Sequence, residues 1–156
     1  MLVNTKFFKL LGGLILEKTK VQAYFSLSND DDFPLDELTK RLKIHPSRTT
    51  KVGEPLLLNS ARHYFSTTWQ YGLGYKETLD VNEVLMPVIY KLESKVNDIL
   101  ILKKDYNLVA KFYIVIQIHN GRSPGLAINT RASKLATEIE AVFDIDLYAY
   151  PYSELE

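Results

Sequence analysis

The sequence predicts an α+β domain with a ferredoxin-like βαββαβ core, an antiparallel sheet with helices on one face, extended by a C-terminal helix and strand. Three observations carry that expectation. Residues 21–28 and 108–119 alternate apolar and polar side chains with a period of two, the pattern of half-buried strands. Residues 35–42 and 85–99 instead repeat Leu, Val and Ile at spacings of three and four, which gives a helix one buried stripe. Read in order, the segments are strand, helix, strand, strand, helix, strand, helix, strand, and a helix-backed antiparallel sheet accommodates that order.

The first strand turns Val21, Ala23, Phe25 and Leu27 to one side and Gln22, Tyr24, Ser26 and Ser28 to the other. In the loop Asn29-Asp30-Asp31-Asp32 the last aspartate is placed to cap the helix that Pro34 opens. Asp36 and Glu37 sit at the positive end of that helix, and Lys40, Arg41 and Lys43 at the negative end. His45-Pro46 ends it, and residues 48–52 read as a short extended segment. Residues 62–71, rich in aromatic and β-branched side chains, read as a strand closed by Gly72-Leu73-Gly74. Either Arg62, Tyr64, Ser66 and Thr68 face away from the helices, or His63, Phe65, Trp69 and Tyr71 do.

Asp80 is expected to cap a long helix, with Glu83 completing a capping box and Leu85, Val88, Leu92, Val96 and Ile99 facing inward. Pro87 inside that pattern predicts a kink or a late start. The strongest strand follows at 108–119, then a loop at 120–125 and a brief strand at 126–128. A helix over 130–142 should bury Leu135, Ile139 and Val142. In the closing strand Ile145, Leu147 and Ala149 alternate with Asp146, Tyr148 and Tyr150. The expected organisation is an N-terminal extension, residues 1–19, packing on a single domain at 20–156.

Composition narrows the function. With 19 basic and 19 acidic side chains the chain is neutral, which speaks against nucleic-acid binding, where basic excess replaces phosphate counterions. There are no cysteines, so disulfides, thiolate nucleophiles and cysteine-held metals are excluded, and a reducing cytoplasm is the expected location. The apolar stretch at 7–16 is interrupted by Lys9 and too short to span a bilayer. It reads as a segment covering an apolar surface, with a membrane-surface anchor as the alternative.

No reaction is specified. His45, His63 and His119 lack ligand spacing, and Asp30-Asp31-Asp32 lacks the alternating ligands and glycine of a calcium loop. No loop carries a phosphate-binding or dinucleotide fingerprint, and there is no nucleophile elbow. Neither a metal, a cofactor nor a catalytic residue is therefore expected. Glu54 is the best single carboxylate, because Gly53 permits an unusual backbone angle that fixes where it points. A turn glutamate bonding backbone amides or Arg62 is the favoured reading, because a single carboxylate lacks the partner that acid–base chemistry requires. Sorting the strands by face also places Tyr24, Tyr113, Tyr148 and Tyr150 on the less aliphatic side with Gln22, Lys111, Gln117, His119 and Asp146. Such a face suits a partner, although strand propensity alone enriches tyrosine. The candidate binding residues are Gly53, Glu54, Arg62, Trp69, His119 and Tyr148.

Several pieces match in order: Pro34-Leu35-Asp36-Glu37-Leu38-Thr39, Gly53-Glu54 after Pro46, Trp69 in a strand, the long helix, Pro124-Gly125-Leu126, and Asp144-Ile145-Asp146-Leu147-Tyr148. On these residues the chain, from about residue 21 to 150, resembles the bacterial family domain of unknown function 4279 (DUF4279). That resemblance implies a small, stand-alone cytosolic α/β domain without an assigned activity, and it supplies no catalytic residues. Two functions are compatible with this. The first is a non-catalytic protein-interaction module, immunity- or adaptor-like, meeting a protein partner or a second copy through the tyrosine-bearing face. The alternative is a small-molecule-binding protein or enzyme with a pocket near Glu54, Arg62, Trp69 and His119.

Overall fold

The computed structural model describes residues 16–152. The expected packing of residues 1–15 lies outside them. At the centre of a six-stranded sheet runs β1 (Lys20–Asn29), where the period-two pattern is cleanest. It pairs antiparallel with β3 (Thr67–Gly72) on one edge and with β5 (Val109–Ile118) on the other. β2 (Arg48–Thr50) adds outside β3, and β6 (Val142–Ala149) outside β5, giving the order β2-β3-β1-β5-β6. The two-residue β4 (Lys76–Glu77) takes the same edge of β1 as β3, opposite Lys20 and Val21.

The sheet is mixed, not antiparallel as expected, because β6 runs parallel to β5. A helix between two strands forms a crossover that returns the chain in its original direction. Here that helix is α4 (Thr130–Glu138). The other helices are α1 (Leu35–Leu42), α2 (Asn82–Leu92) and α3 (Val96–Tyr106).

All four helices contribute to one apolar cluster with a single face of the sheet. Leu38, Leu85, Ile99 and Leu135 represent the four helices in it, and Phe25, Trp69 and Phe112 the strands. Phe112 is flanked by Phe25 at 5.1 Å and Phe143 at 5.4 Å between ring centroids. Each fully buried ring of this kind stabilises the fold by roughly 1.5–3 kcal/mol relative to exposure. Trp69 is fully buried and donates its indole N–H to Thr39 Oγ1 at 3.0 Å, fastening β3 to α1. With Trp69 inward, Thr68 and Gln70 of β3 face the open side, which decides between the two faces the sequence allowed.

Several boundaries differ from expectation. Residues 62–66 are not strand; the chain at 53–64 folds back on itself through Gly53 N–H to Tyr64 O, Tyr64 N–H to Glu54 O and Leu56 N–H to Arg62 O. Asp32 does not cap α1. Its carboxylate instead accepts from Thr67 Oγ1 and pairs with Lys51 Nζ at 3.4 Å, tying the loop to that excursion.

Asp80 Oδ1 does accept the N–H of Asn82 at the start of α2, but Glu83 is drawn to Lys76 at 2.7 Å and completes no box. The long helix runs through Pro87 and breaks instead at a 3-10 turn, Glu93–Lys95, where Lys95 leaves helical geometry (φ −112°, ψ 7°). Residues 126–128 form no strand; a single bridge pairs Asp80 with Gly125. α4 stops at Glu138 because Glu140 turns left-handed (φ 52°), and Ala141 N–H closes on Ala136 O at 2.8 Å. Val142 thereby leaves the helix, starts β6 and is exposed.

Candidate binding surface

The face of the sheet opposite the helices is organised in rows that run across the strands. One row is Gly72, Tyr24, Tyr113 and Asp144, carried by β3, β1, β5 and β6. Tyr24 and Tyr113 stack with centroids 4.9 Å apart and planes 16° from parallel. Gly72 completes the row because β3 approaches β1 too closely there for a side chain. A Cβ on it would lie 2.6 Å from Tyr24 Cβ and 2.7 Å from the carbonyl oxygen of Ala23.

The neighbouring rows carry the charge. Arg48, Gln70, Ser26, Lys111 and Val142 form one, and Gln22, Val115 and Asp146 another. Lys111 Nζ pairs with Asp144 Oδ2 at 3.1 Å and stands 5.6 Å from the Tyr113 ring centroid, a cation–π distance. At the other border Arg48 Nη2 donates to the Tyr64 hydroxyl at 3.2 Å. The face is therefore acidic along β6, basic at β2 and aromatic between.

Burial pushes the Tyr24 hydroxyl up to about 12, with the neighbouring Tyr113 and then Asp146 adding to the rise. The Asp144 hydrogen bond raises the Lys111 ammonium above its ordinary range, and Tyr113 adds to it. Both groups stay protonated at neutral pH, so the face offers hydroxyl and ammonium donors beside carboxylate acceptors. Among the described residues no group of three His, Asp or Glu side chains is placed to hold a metal. No described buried side-chain nitrogen or oxygen lacks a partner, so no orphan polar atom points at a missing ligand.

The six residues singled out from sequence do not converge. Gly53 (φ +81°), Glu54 and Arg62 lie in the excursion between β2 and β3, at the end of the sheet where Asn29 pairs with Thr67. Trp69 is in the core. His119 follows β5 at the opposite end, where Lys20 pairs with Gln117. The length of β1 separates the two ends, roughly 30 Å at ~3.3 Å per residue. His119 is buried there, its Nδ1 3.1 Å from Glu17 Oε2 and its ring stacked on Tyr150 at 4.5 Å. Tyr148 alone belongs to the open face, opposite Gln117.

Alternation within strands brought out Tyr24, Tyr113, Lys111 and Asp146, whereas Asp144 and Arg48 depend on pairing between strands that no local signal encodes. A groove of about 680 Å³ also opens at the His119 end, lined by Leu16, Glu17, Thr19, Leu79 and Arg122 among others. It holds none of the six, and its charges are partly spent on each other, as in Lys18–Glu77 at 3.3 Å.

The family described as Domain of unknown function (DUF4279) matches residues 17–150. The chain belongs to DUF4279. No curated protein and no solved structure matches it. The DUF4279 match takes in every described strand and helix and the tyrosine-bearing face. Among the described residues of this DUF4279 chain no helix is long and apolar enough to cross a membrane.

Proposed function

We propose that this DUF4279 chain is a non-catalytic protein-interaction module, immunity- or adaptor-like, that meets its partner on the open face of the sheet. The observation that carries the reading is the stacked Tyr24–Tyr113 pair on the face opposite all four helices. Aromatic rings with polar tips give large contact area at small entropic cost, and flanking charges of both signs set orientation. The strand order β2-β3-β1-β5 supports a ferredoxin-like core to which α4 and β6 are added. A cysteine-free composition supports a reducing, cytoplasmic setting.

The test compares the full chain with Tyr113→Ala and Lys111→Glu in capture of a stoichiometric partner from native cells. Both variants should keep the wild-type circular dichroism and lose the partner. Capture unchanged in both, or a reproducible absence of any partner, overturns the reading.

A further inference from the structure

The groove of about 680 Å³ at the His119 end of the sheet has the volume of a small-molecule site, which runs from about 300 to 1,000 Å³. Three separate stretches of chain build it: residues 16–19 ahead of β1, 77–79 at the end of β4, and Asn120 and Arg122 in the loop after β5. β5 and β6 run parallel and both bring their carboxyl ends to this end of the sheet, and the loop after β5 leads on into α4. In α/β sheets, ligands gather outside the carboxyl ends of strands, where loops into helices converge.

The walls are fastened to one another. Thr19 Oγ1 donates to Arg122 O and accepts from His119 N–H at 3.1 Å, and Asn120 Nδ2 donates to Glu17 O at 3.0 Å. Gly125 N–H closes on Leu79 O at 3.0 Å. Within this frame Leu16 and Leu79 keep 46% and 43% of their surface exposed, so the groove offers apolar area as well as shape.

Its charged side chains are not equally engaged. Glu77 is paired with Lys18 at 3.3 Å, and Glu17 lies 3.1 Å from His119 Nδ1. Arg122 meets its neighbours only through its backbone, whose N–H donates to His119 O at 3.1 Å and whose carbonyl accepts from Thr19. Its guanidinium has no partner among the described residues. A guanidinium carries five N–H donors in a planar fork that matches a carboxylate.

We propose that this groove binds a small organic monocarboxylate, with its apolar body against Leu16 and Leu79 and its carboxylate on Arg122. One unpaired cation balances one negative charge. A second charge, as on a phosphate monoester, would face the Glu17 and Glu77 carboxylates that line the same groove. A cationic amphiphile would find those carboxylates already engaged by His119 and Lys18. None of Tyr24, Tyr113, Lys111 and Asp144 lines the groove, so the site goes beyond the interaction reading and stands or falls apart from it.

The test is calorimetric titration of the full-length chain with octanoate below its micelle-forming concentration. Binding should saturate at one molecule per chain. Arg122→Gln should weaken it roughly tenfold or more, the loss expected for a hydrogen bond to a charged group, and Arg122→Lys should recover part of it. Leu79→Glu, which puts a carboxylate in the path of the apolar body, should abolish it. Both side chains are exposed, so the variants should keep the wild-type circular dichroism. Octyl phosphate and octylammonium should bind more weakly than octanoate. Tyr113→Ala should bind octanoate as the wild type does, whatever it does to partner capture. Absence of saturable binding, octanoate affinity unchanged in Arg122→Gln, or octylammonium binding as tightly as octanoate overturns the proposal. So does binding that appears only after residues 1–15 are removed, which assigns the groove to that segment of the chain.

Discussion

Trp69 donates its indole N–H to the hydroxyl of Thr39 at 3.0 Å, and this bond joins β3 to α1 through an otherwise apolar core. The same hydroxyl donates to Leu35 O at 3.2 Å, so Thr39 serves its own helix and the sheet together. Replacing it by an isosteric side chain leaves a buried donor without an acceptor. Thr39→Val should therefore destabilise the fold by about 1–3 kcal/mol. Urea unfolding followed by tryptophan emission reads this at one site, because Trp69 is the only tryptophan. An unchanged midpoint would show that the bond contributes nothing net.

Gly72 and Gly53 should respond differently to alanine. At Gly72 the added Cβ meets the β1 backbone and Tyr24, so Gly72→Ala should cost about 1–3 kcal/mol and disturb the tyrosine near-ultraviolet dichroism. At Gly53 the space is open and only the left-handed backbone resists, for a cost of about 1–2 kcal/mol with the tyrosine signal unchanged.

Tyr24 predicts a loss of stability at alkaline pH. Its hydroxyl keeps a proton to about 12 in the folded chain and releases it near the ordinary value of 10.0 when unfolded. Between those values the unfolded chain binds fewer protons, so stability falls as pH rises. The contribution is complete below the unfolded value. Tyr24→Phe should flatten that part of the stability profile and remove the last-titrating step from the tyrosinate absorbance. Wild type and variant titrating identically would contradict the buried placement.

Glu140 predicts a gain. It holds φ 52° after α4, a conformation that suits glycine better than any side chain. Lys103 Nζ binds the carbonyl oxygens of Ile139 at 2.7 Å and Glu140 at 3.1 Å, which survive substitution, while its 3.4 Å pairing with the exposed Glu140 carboxylate, a contact worth little at the surface, is lost. Glu140→Gly should stabilise the chain by about 0.5–1 kcal/mol, the left-handed penalty less the entropy glycine adds to the unfolded state. Differential scanning calorimetry should record a higher Tm.

How much of this was legible depends on the range of each determinant. The alternations at Val21/Phe25 and Phe112/Ile116 were sufficient to place β1 and β5 with their correct faces, because burial writes a period directly into neighbouring residues. α1 was equally plain from Leu35, Leu38 and Leu42 between Pro34 and Lys43. Val142 was misplaced because it continues the spacing of Leu135 and Ile139, and only the left-handed turn at Glu140 separates helix from strand there. The long helix runs through Pro87, its sixth residue, and breaks at Glu93–Lys95, where no residue type in the sequence marks an end. The candidate site fared worst. Glu54, Trp69 and His119 are each conspicuous in sequence, yet which end of a strand a residue occupies is a property of the whole sheet. Tyr24 and Tyr113 are ordinary in sequence and become a surface only through the pairing of β1 with β5.

That pairing also sets a timetable. Thr19, just ahead of β1, is held by His119 and Arg122, and the first of these partners lies 100 residues further along the chain. At roughly 5–20 residues per second of synthesis, β1 waits about 5–20 s for its central neighbour. During that interval Phe25 and Leu27 have only α1, β3 and the helices behind them for shelter. Among the described strands, the one at the centre of the finished sheet is thus also the one that waits longest for its partner while the protein is made.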